Sequence, residues 1–116
     1  MRALIERDPS GEKSPPMGPP PPPPPTESDI RLKHDITLLG HLNDGLGFYR
    51  FTYNGGHTAY VGVMAQEVQT VMPEAVVRGS DGYLRVFYDK LGLKFQTYDE
   101  WVASGGRMPA VTSVTH

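Results

Sequence analysis

Cysteine is absent from all 116 residues, which excludes disulfides and thiolate metal clusters. Long apolar runs are missing too. No stretch approaches the ~20 residues needed to cross a bilayer, so no membrane span is expected. The amino-terminal MRALIERDPSGEKSPP places only Ala3, Leu4 and Ile5 in succession, short of the apolar segment of a secretory signal. The cytosol of the producing cell is therefore the expected location of the chain as made, with later assembly into a particle left open. An excess of positive charge is also lacking. With 11 Lys+Arg against 13 Asp+Glu the net charge is -2, so no general pull toward nucleic acid or an anionic membrane is expected. Basic residues do not alternate with the aromatic ones as a nucleic-acid stacking surface requires. No glycine-rich phosphate loop, paired-histidine zinc motif or calcium loop is present. His34, His41, His57 and His116 lack ligand-like spacing. No metal, no cofactor and no small-molecule substrate is expected.

What the chain does contain is unevenly spread. Ten of its 12 prolines lie in the first 25 residues. Residues 1–27 read as a disordered proline-rich leader, with Pro19 to Pro25 favouring a polyproline II rod. A spacer is the ordinary use of such a segment; a ligand for a proline-reading domain is the sharper one. The globular part is short, and a small core without disulfides is marginal. Self-association is its expected reinforcement.

From Thr26 the composition turns globular. Ile30 to Leu39 alternates in part with period two and reads as extended. His41 to Gly47 is rich in turn formers. Phe48 to Tyr53 is a strand of aromatic and other β-formers, Asn54-Gly55-Gly56 is a hairpin turn, and Thr58 to Val63 is the returning strand. Ala65 to Met72 reads as a short helix with Val68, Val71 and Met72 on its inner face, ended by Pro73. Glu74 to Arg78 and Tyr83 to Tyr88 read as strands of a second hairpin around Gly79-Ser80-Asp81-Gly82. Asp89 is a candidate cap for a Leu91/Leu93/Phe95 stretch that pattern does not assign. Tyr98 to Ser104 reads as helical, ended by Gly105-Gly106. Tyr49, Phe51, Tyr53, Tyr83 and Phe87 read as core. The expected class is α+β, short antiparallel hairpins with small helices, over residues 28–104, with 105–116 a flexible tail.

One segment carries the elements of chemistry. Ser28-Asp29-Ile30-Arg31-Leu32-Lys33 holds a hydroxyl and an amine that together can act as nucleophile and general base. The amine must be neutral, yet a free lysine is only about 0.1% deprotonated near neutral pH. Lowering its pKa by ~3 units corresponds to about 4 kcal/mol of differential solvation, which needs burial or a neighbouring cation such as Arg31. Geometry restricts the pair further. Five extended residues span up to ~17 Å, and five helical steps leave two side chains about 140° apart. Ser28 and Lys33 meet only if the chain bends sharply between them or another subunit supplies one of them. A capping Ser28 and a solvated Lys33 are the ordinary alternative.

Ser28-Asp29-Ile30-Arg31-Leu32-Lys33, followed by Asp35-Ile36, resembles the opening motif of the intramolecular chaperone auto-processing domain, which closes phage tailspikes, endosialidases and tail fibres and has a relative in myelin regulatory factor. Phe48 to Tyr53 looks like the aromatic strand of that family. Gly62-Val63-Met64-Ala65-Gln66-Glu67-Val68 and Val71-Met72-Pro73-Glu74-Ala75-Val76 look like its central signature. Asp81-Gly82-Tyr83 through Tyr88-Asp89-Lys90-Leu91 looks like its last element. These blocks run from Ser28 to Leu91, 64 of 116 residues.

The resemblance implies a homotrimeric domain that assists assembly of an upstream fibre or spike domain, its client, and then cuts itself off as a single-turnover serine peptidase. It implies cleavage between Glu27 and Ser28, with Ser28 as nucleophile and Lys33 as base. Asp29 and Arg31 take supporting roles in orientation or charge tuning, and Gln66 and Glu67 chiefly serve the fold at a helix start. It also implies a virion tail, phage or prophage, as the destination. Three departures stand against the pattern. Phe87 occupies the place of an Asp, so a polar contact is expected to be missing. Gly92, Gly105 and Gly106 interrupt the long helix through which such domains associate. Only a proline-rich leader precedes Ser28. A non-catalytic assembly module, or a truncated remnant of such a domain, is the alternative reading.

Overall fold

A computed structural model of the protein describes residues 21–110. Most of the leader, residues 1–20, and the end of the tail, residues 111–116, lie outside the described residues. Pro21 to Pro25 carries no regular structure. Strand β1, Thr26–Glu27, begins the paired chain two residues ahead of Ser28, so the last residues assigned to the leader join a sheet. A single 3-10 turn follows at Ile30–Leu32. Then come β2 (Lys33–His41), β3 (Gly47–Tyr53), β4 (Ala59–Gly62), helix α1 (Ala65–Val71), a second 3-10 turn (Pro73–Ala75), β5 (Val76–Arg78), β6 (Leu84–Val86), α2 (Tyr88–Leu91), β7 (Gln96–Thr97) and α3 (Tyr98–Ala103).

The strands form two antiparallel sheets. One has the order β1-β6-β5, the other β2-β3-β4-β7. The architecture is the expected α+β class. The β3–β4 hairpin turns at Asn54-Gly55-Gly56. Gly55 takes φ 85°, a backbone region costly for any residue with a Cβ, and the Gly56 N–H closes the turn on the Tyr53 carbonyl at 3.0 Å. Opposite it, β2 pairs with β3 in a register that sets Lys33 against Tyr53, with irregularities between His34 and Thr37 and between Leu38 and Gly40.

The core lies between the sheets and the helices. Phe48 and Val61 of the larger sheet, and Val63 just past the end of β4, meet Leu84 and Val86 of the smaller one, with Val68 and Leu91 from α1 and α2. Phe48 also reaches Trp101 of α3, ring centroids 5.8 Å apart. Of the face expected of α1, Val68 is buried, but Val71 is 49% exposed. The helix ends at Val71, so that residue falls outside the stripe pressed on the sheets. The unassigned Leu91/Leu93/Phe95 stretch begins as the last residue of α2, a helix of one turn. Gly92 stops it with φ 71°, and Phe87, not Asp89, holds the capping position. Helix α3 starts with a full capping box between Thr97 and Glu100. The first part of the tail is tied to it, since Trp101 Nε1 donates to the Arg107 carbonyl at 2.8 Å. Phe51 is fully buried, whereas Tyr49, Tyr53, Tyr83 and Phe87 are only partly so. Phe87 lies under Lys90, whose Nζ is 4.7 Å from the ring centroid.

Candidate active site

Ser28 is placed by the smaller sheet. The β1–β6 ladder pairs Thr26 with Val86 and Glu27 with Arg85. It continues one residue further, where the Ser28 N–H donates to the Leu84 carbonyl at 3.1 Å. On its other side the Ser28 carbonyl accepts from the Ala65 N–H at 2.9 Å. The residue is thus clamped between β6 and the start of α1, and it is fully buried.

The chain then bends. Asp29 caps the 3-10 turn, its Oδ1 accepting from the Arg31 N–H at 3.0 Å. The same carboxylate receives Arg31 Nε and Nη2 at 2.9 and 2.7 Å. It also accepts from Gln66 Nε2 at 2.8 Å and from the Leu84 N–H at 3.0 Å. So many donors on a buried carboxylate hold it charged, with the Arg31 guanidinium foremost, and its pKa lies well below the usual carboxylate range despite burial. Gln66 completes the bracket by accepting from the Ile30 N–H at 3.0 Å. The result is a turn that carries Lys33 back over Ser28.

Lys33 Nζ donates to Ser28 Oγ at 2.9 Å. This is the sharp bend that a Ser28–Lys33 pair requires, and it closes within one chain. Neither a capping Ser28 nor a solvated Lys33 is found; Asp29 does the capping and Lys33 is 6% exposed. The amine also donates to the Val63 carbonyl at 2.9 Å and approaches Met64 Sδ at 3.6 Å. It stands 3.9 Å from the centroid of the Phe51 ring. Both Phe51 and Met64 are buried, so the ammonium form has little water to solvate it. Burial pushes its pKa down to about 7, only partly opposed by the charge of Asp29. Arg31 does not act on it directly as a neighbouring cation; its charge is spent on Asp29.

The backbone of Val63 organises the pair. Its carbonyl accepts from Ser28 Oγ at 2.6 Å as well as from Lys33. Its N–H donates to the buried Tyr88 hydroxyl at 3.0 Å. Glu67 stands apart from this centre. It accepts from the Gly47 N–H at 3.1 Å and from the Tyr49 hydroxyl, bracing α1 against β3. Glu27 Oε2 accepts from Arg85 Nη2 at 3.1 Å, and the Glu27 carbonyl accepts from the Tyr53 hydroxyl at 2.5 Å.

The structure brings Ser28, Asp29, Arg31, Lys33, Gln66 and Glu27 into one constellation and sets Glu67, like Gln66 expected to serve the fold, in the frame beside it. Pattern alone does not mark Met64, Tyr88 or the Val63 carbonyl, and it assigns Phe51 and Tyr53 to the core. For Tyr53 the β2–β3 register, which sets it opposite Lys33, is the signal; the others come from segments distant in sequence from Ser28 and Lys33. Among the described residues no group of His, Asp and Glu is arranged to hold a metal ion.

Residues 28–77 match a protein family described as chaperone of endosialidase. No curated protein and no solved structure matches the chain. The family match covers Ser28, the capped turn, Lys33 and the Val63–Glu67 segment that surrounds them.

Proposed function

We propose that this chain, a chaperone-of-endosialidase domain over residues 28–77, is an intramolecular chaperone that cuts its own backbone between Glu27 and Ser28. The observation that carries this reading is the buried Lys33 amine, 2.9 Å from the Ser28 hydroxyl. Its pKa of about 7 lets a large fraction of folded molecules hold the free base at neutral pH. The Ser28 hydroxyl then turns its proton from the Val63 carbonyl to the freed Lys33 lone pair, which takes it. The alkoxide attacks the adjoining Glu27 carbonyl carbon. The Lys33 ammonium then returns the proton to the Ser28 nitrogen, the Glu27–Ser28 C–N bond breaks, and an ester links Glu27 to Oγ. Water opens the ester, leaving a Glu27 carboxylate and a free Ser28 hydroxyl and amine. Because Ser28 is fully buried, its neighbouring carbonyl is the electrophile within reach, which favours one cut per chain.

The client in this reading is a fibre or endosialidase segment joined to the amino-terminal side, and a homotrimer is the working form. The exposed Ile36 and Leu38 on β2, an end strand of the larger sheet, support association there. Cytosolic synthesis followed by incorporation in a virion tail fits the same reading. The test is the intact mass of freshly folded chain at pH 8. Wild type should separate into residues 1–27 and 28–116, while Ser28→Ala and Lys33→Met stay whole. Wild type that folds and stays whole would reduce the protein to a non-catalytic assembly module.

A further inference from the structure

We propose that the Tyr53 hydroxyl is the electrophilic partner of the Ser28–Lys33 pair, holding the Glu27 carbonyl and stabilising the oxyanion that forms on it. This inference rests on self-cleavage at Glu27–Ser28 and adds the group that receives the developing charge. Tyr53 Oη donates to the Glu27 carbonyl oxygen at 2.5 Å, a short bond for a neutral donor. That oxygen belongs to the bond that would be cut. Lys33 and Tyr53 are direct partners across β2 and β3, so their side chains leave the same face of the sheet. The amine reaches the nucleophile while the phenol reaches the carbonyl one residue earlier. One rung of the ladder thereby sets both ends of the reacting pair.

The phenol is held in place. Its ring meets Phe51 edge-on at 5.2 Å and Tyr60 at 5.5 Å between centroids. Glu27 is fixed from the other side by Arg85, 3.1 Å from its carboxylate. A donor already aligned on the carbonyl needs no reorganisation as charge grows there. Burial raises the Tyr53 pKa, so the phenol stays protonated across the range in which Lys33 loses its proton. No proton leaves Tyr53 in the step; the Oγ proton passes to Lys33 and on to the Ser28 nitrogen.

Tyr53→Phe tests this, because it deletes the hydroxyl and keeps the ring contacts. The first-order rate of leader release should fall about 10²- to 10³-fold, the usual loss for one oxyanion donor, with the pH midpoint of cleavage unchanged. Tyr53→Phe that cleaves at the wild-type rate overturns the inference and leaves self-cleavage intact. Wild type that does not cleave overturns the reading beneath it instead. A slow Tyr53→Phe could also reflect a disturbed fold. For that reason Ser28→Ala and Ser28→Ala/Tyr53→Phe are melted side by side, and 3-fluorotyrosine is placed at position 53. The melts should differ by no more than the loss of one hydrogen bond, and the more acidic fluorophenol should cleave at least as fast as wild type. Divergent melts together with a fluorotyrosine rate lowered like that of Tyr53→Phe assign Tyr53 to packing and overturn the inference.

Discussion

At the scale of single residues, the site is built on an unfavourable burial. Lys33 in a free chain titrates near 10.5, and in the fold near 7. That difference corresponds to roughly 5 kcal/mol of destabilisation when the chain folds at or below neutral pH. The sign follows from proton counting. Between these two values the unfolded chain binds a proton that the folded one lacks, so stability rises with pH through that window. Removing the amine should relieve the cost. In the uncleavable Ser28→Ala background, Lys33→Met should raise stability at pH 6–7 by about 2–5 kcal/mol, less the hydrogen bonds it deletes. Denaturant titration at several pH values measures it, and the gain should shrink toward pH 10. A loss of stability of similar size would mean that the ammonium is well solvated. Asp29 works in the opposite direction. Its lowered pKa means that its contribution is present above the ordinary carboxylate pKa and is lost only in strong acid.

At the scale of elements, the hairpins were the legible part of the fold and the turn between Ser28 and Lys33 was not. Alternation and Asn54-Gly55-Gly56 mark β3 and β4, because strand pairing and turn chemistry are local. The helix from Ala65 announces itself by Val68 and the following Pro73, although Val71 points outward. The one-turn helix at Tyr88 is too short for any period to show. Chemistry was legible as a motif, but its geometry was not. Reading by local rules leaves Ser28 and Lys33 apart, whereas bonds from Gln66 and Leu84 to Asp29 bend the chain between them. Those partners are distant in sequence, so no local pattern reports them. The same dependence on neighbours governs Gly62. A Cβ there would collide with the Tyr88 hydroxyl, which accepts from the Val63 N–H. Gly62→Ala should therefore cost about 1–3 kcal/mol through overpacking and slow cleavage by moving Val63, as thermal melts and leader release will measure. An unchanged melt and an unchanged rate would show that β4 tolerates the shift.

For the whole molecule, the pair closes within one chain, so association is not needed to assemble it. A trimer would instead serve the client and add stability to a small core without disulfides. β2 presents Ile36 at 37% and Leu38 at 49% exposure along an end strand. Light scattering should give a mass near three chains for the Ser28→Ala protein and one chain for Ser28→Ala/Ile36→Lys/Leu38→Lys. A single-chain mass for the parent at high concentration would remove the trimer from the account.

Self-cleavage as proposed requires that Lys33 carry no proton when the Ser28 hydroxyl needs a base. The most direct measurement is the pH titration of the Lys33 side chain by ¹³Cε and ¹⁵Nζ NMR in folded Ser28→Ala protein. A midpoint close to neutrality is predicted. A midpoint close to 10.5, that of an exposed lysine, would contradict it.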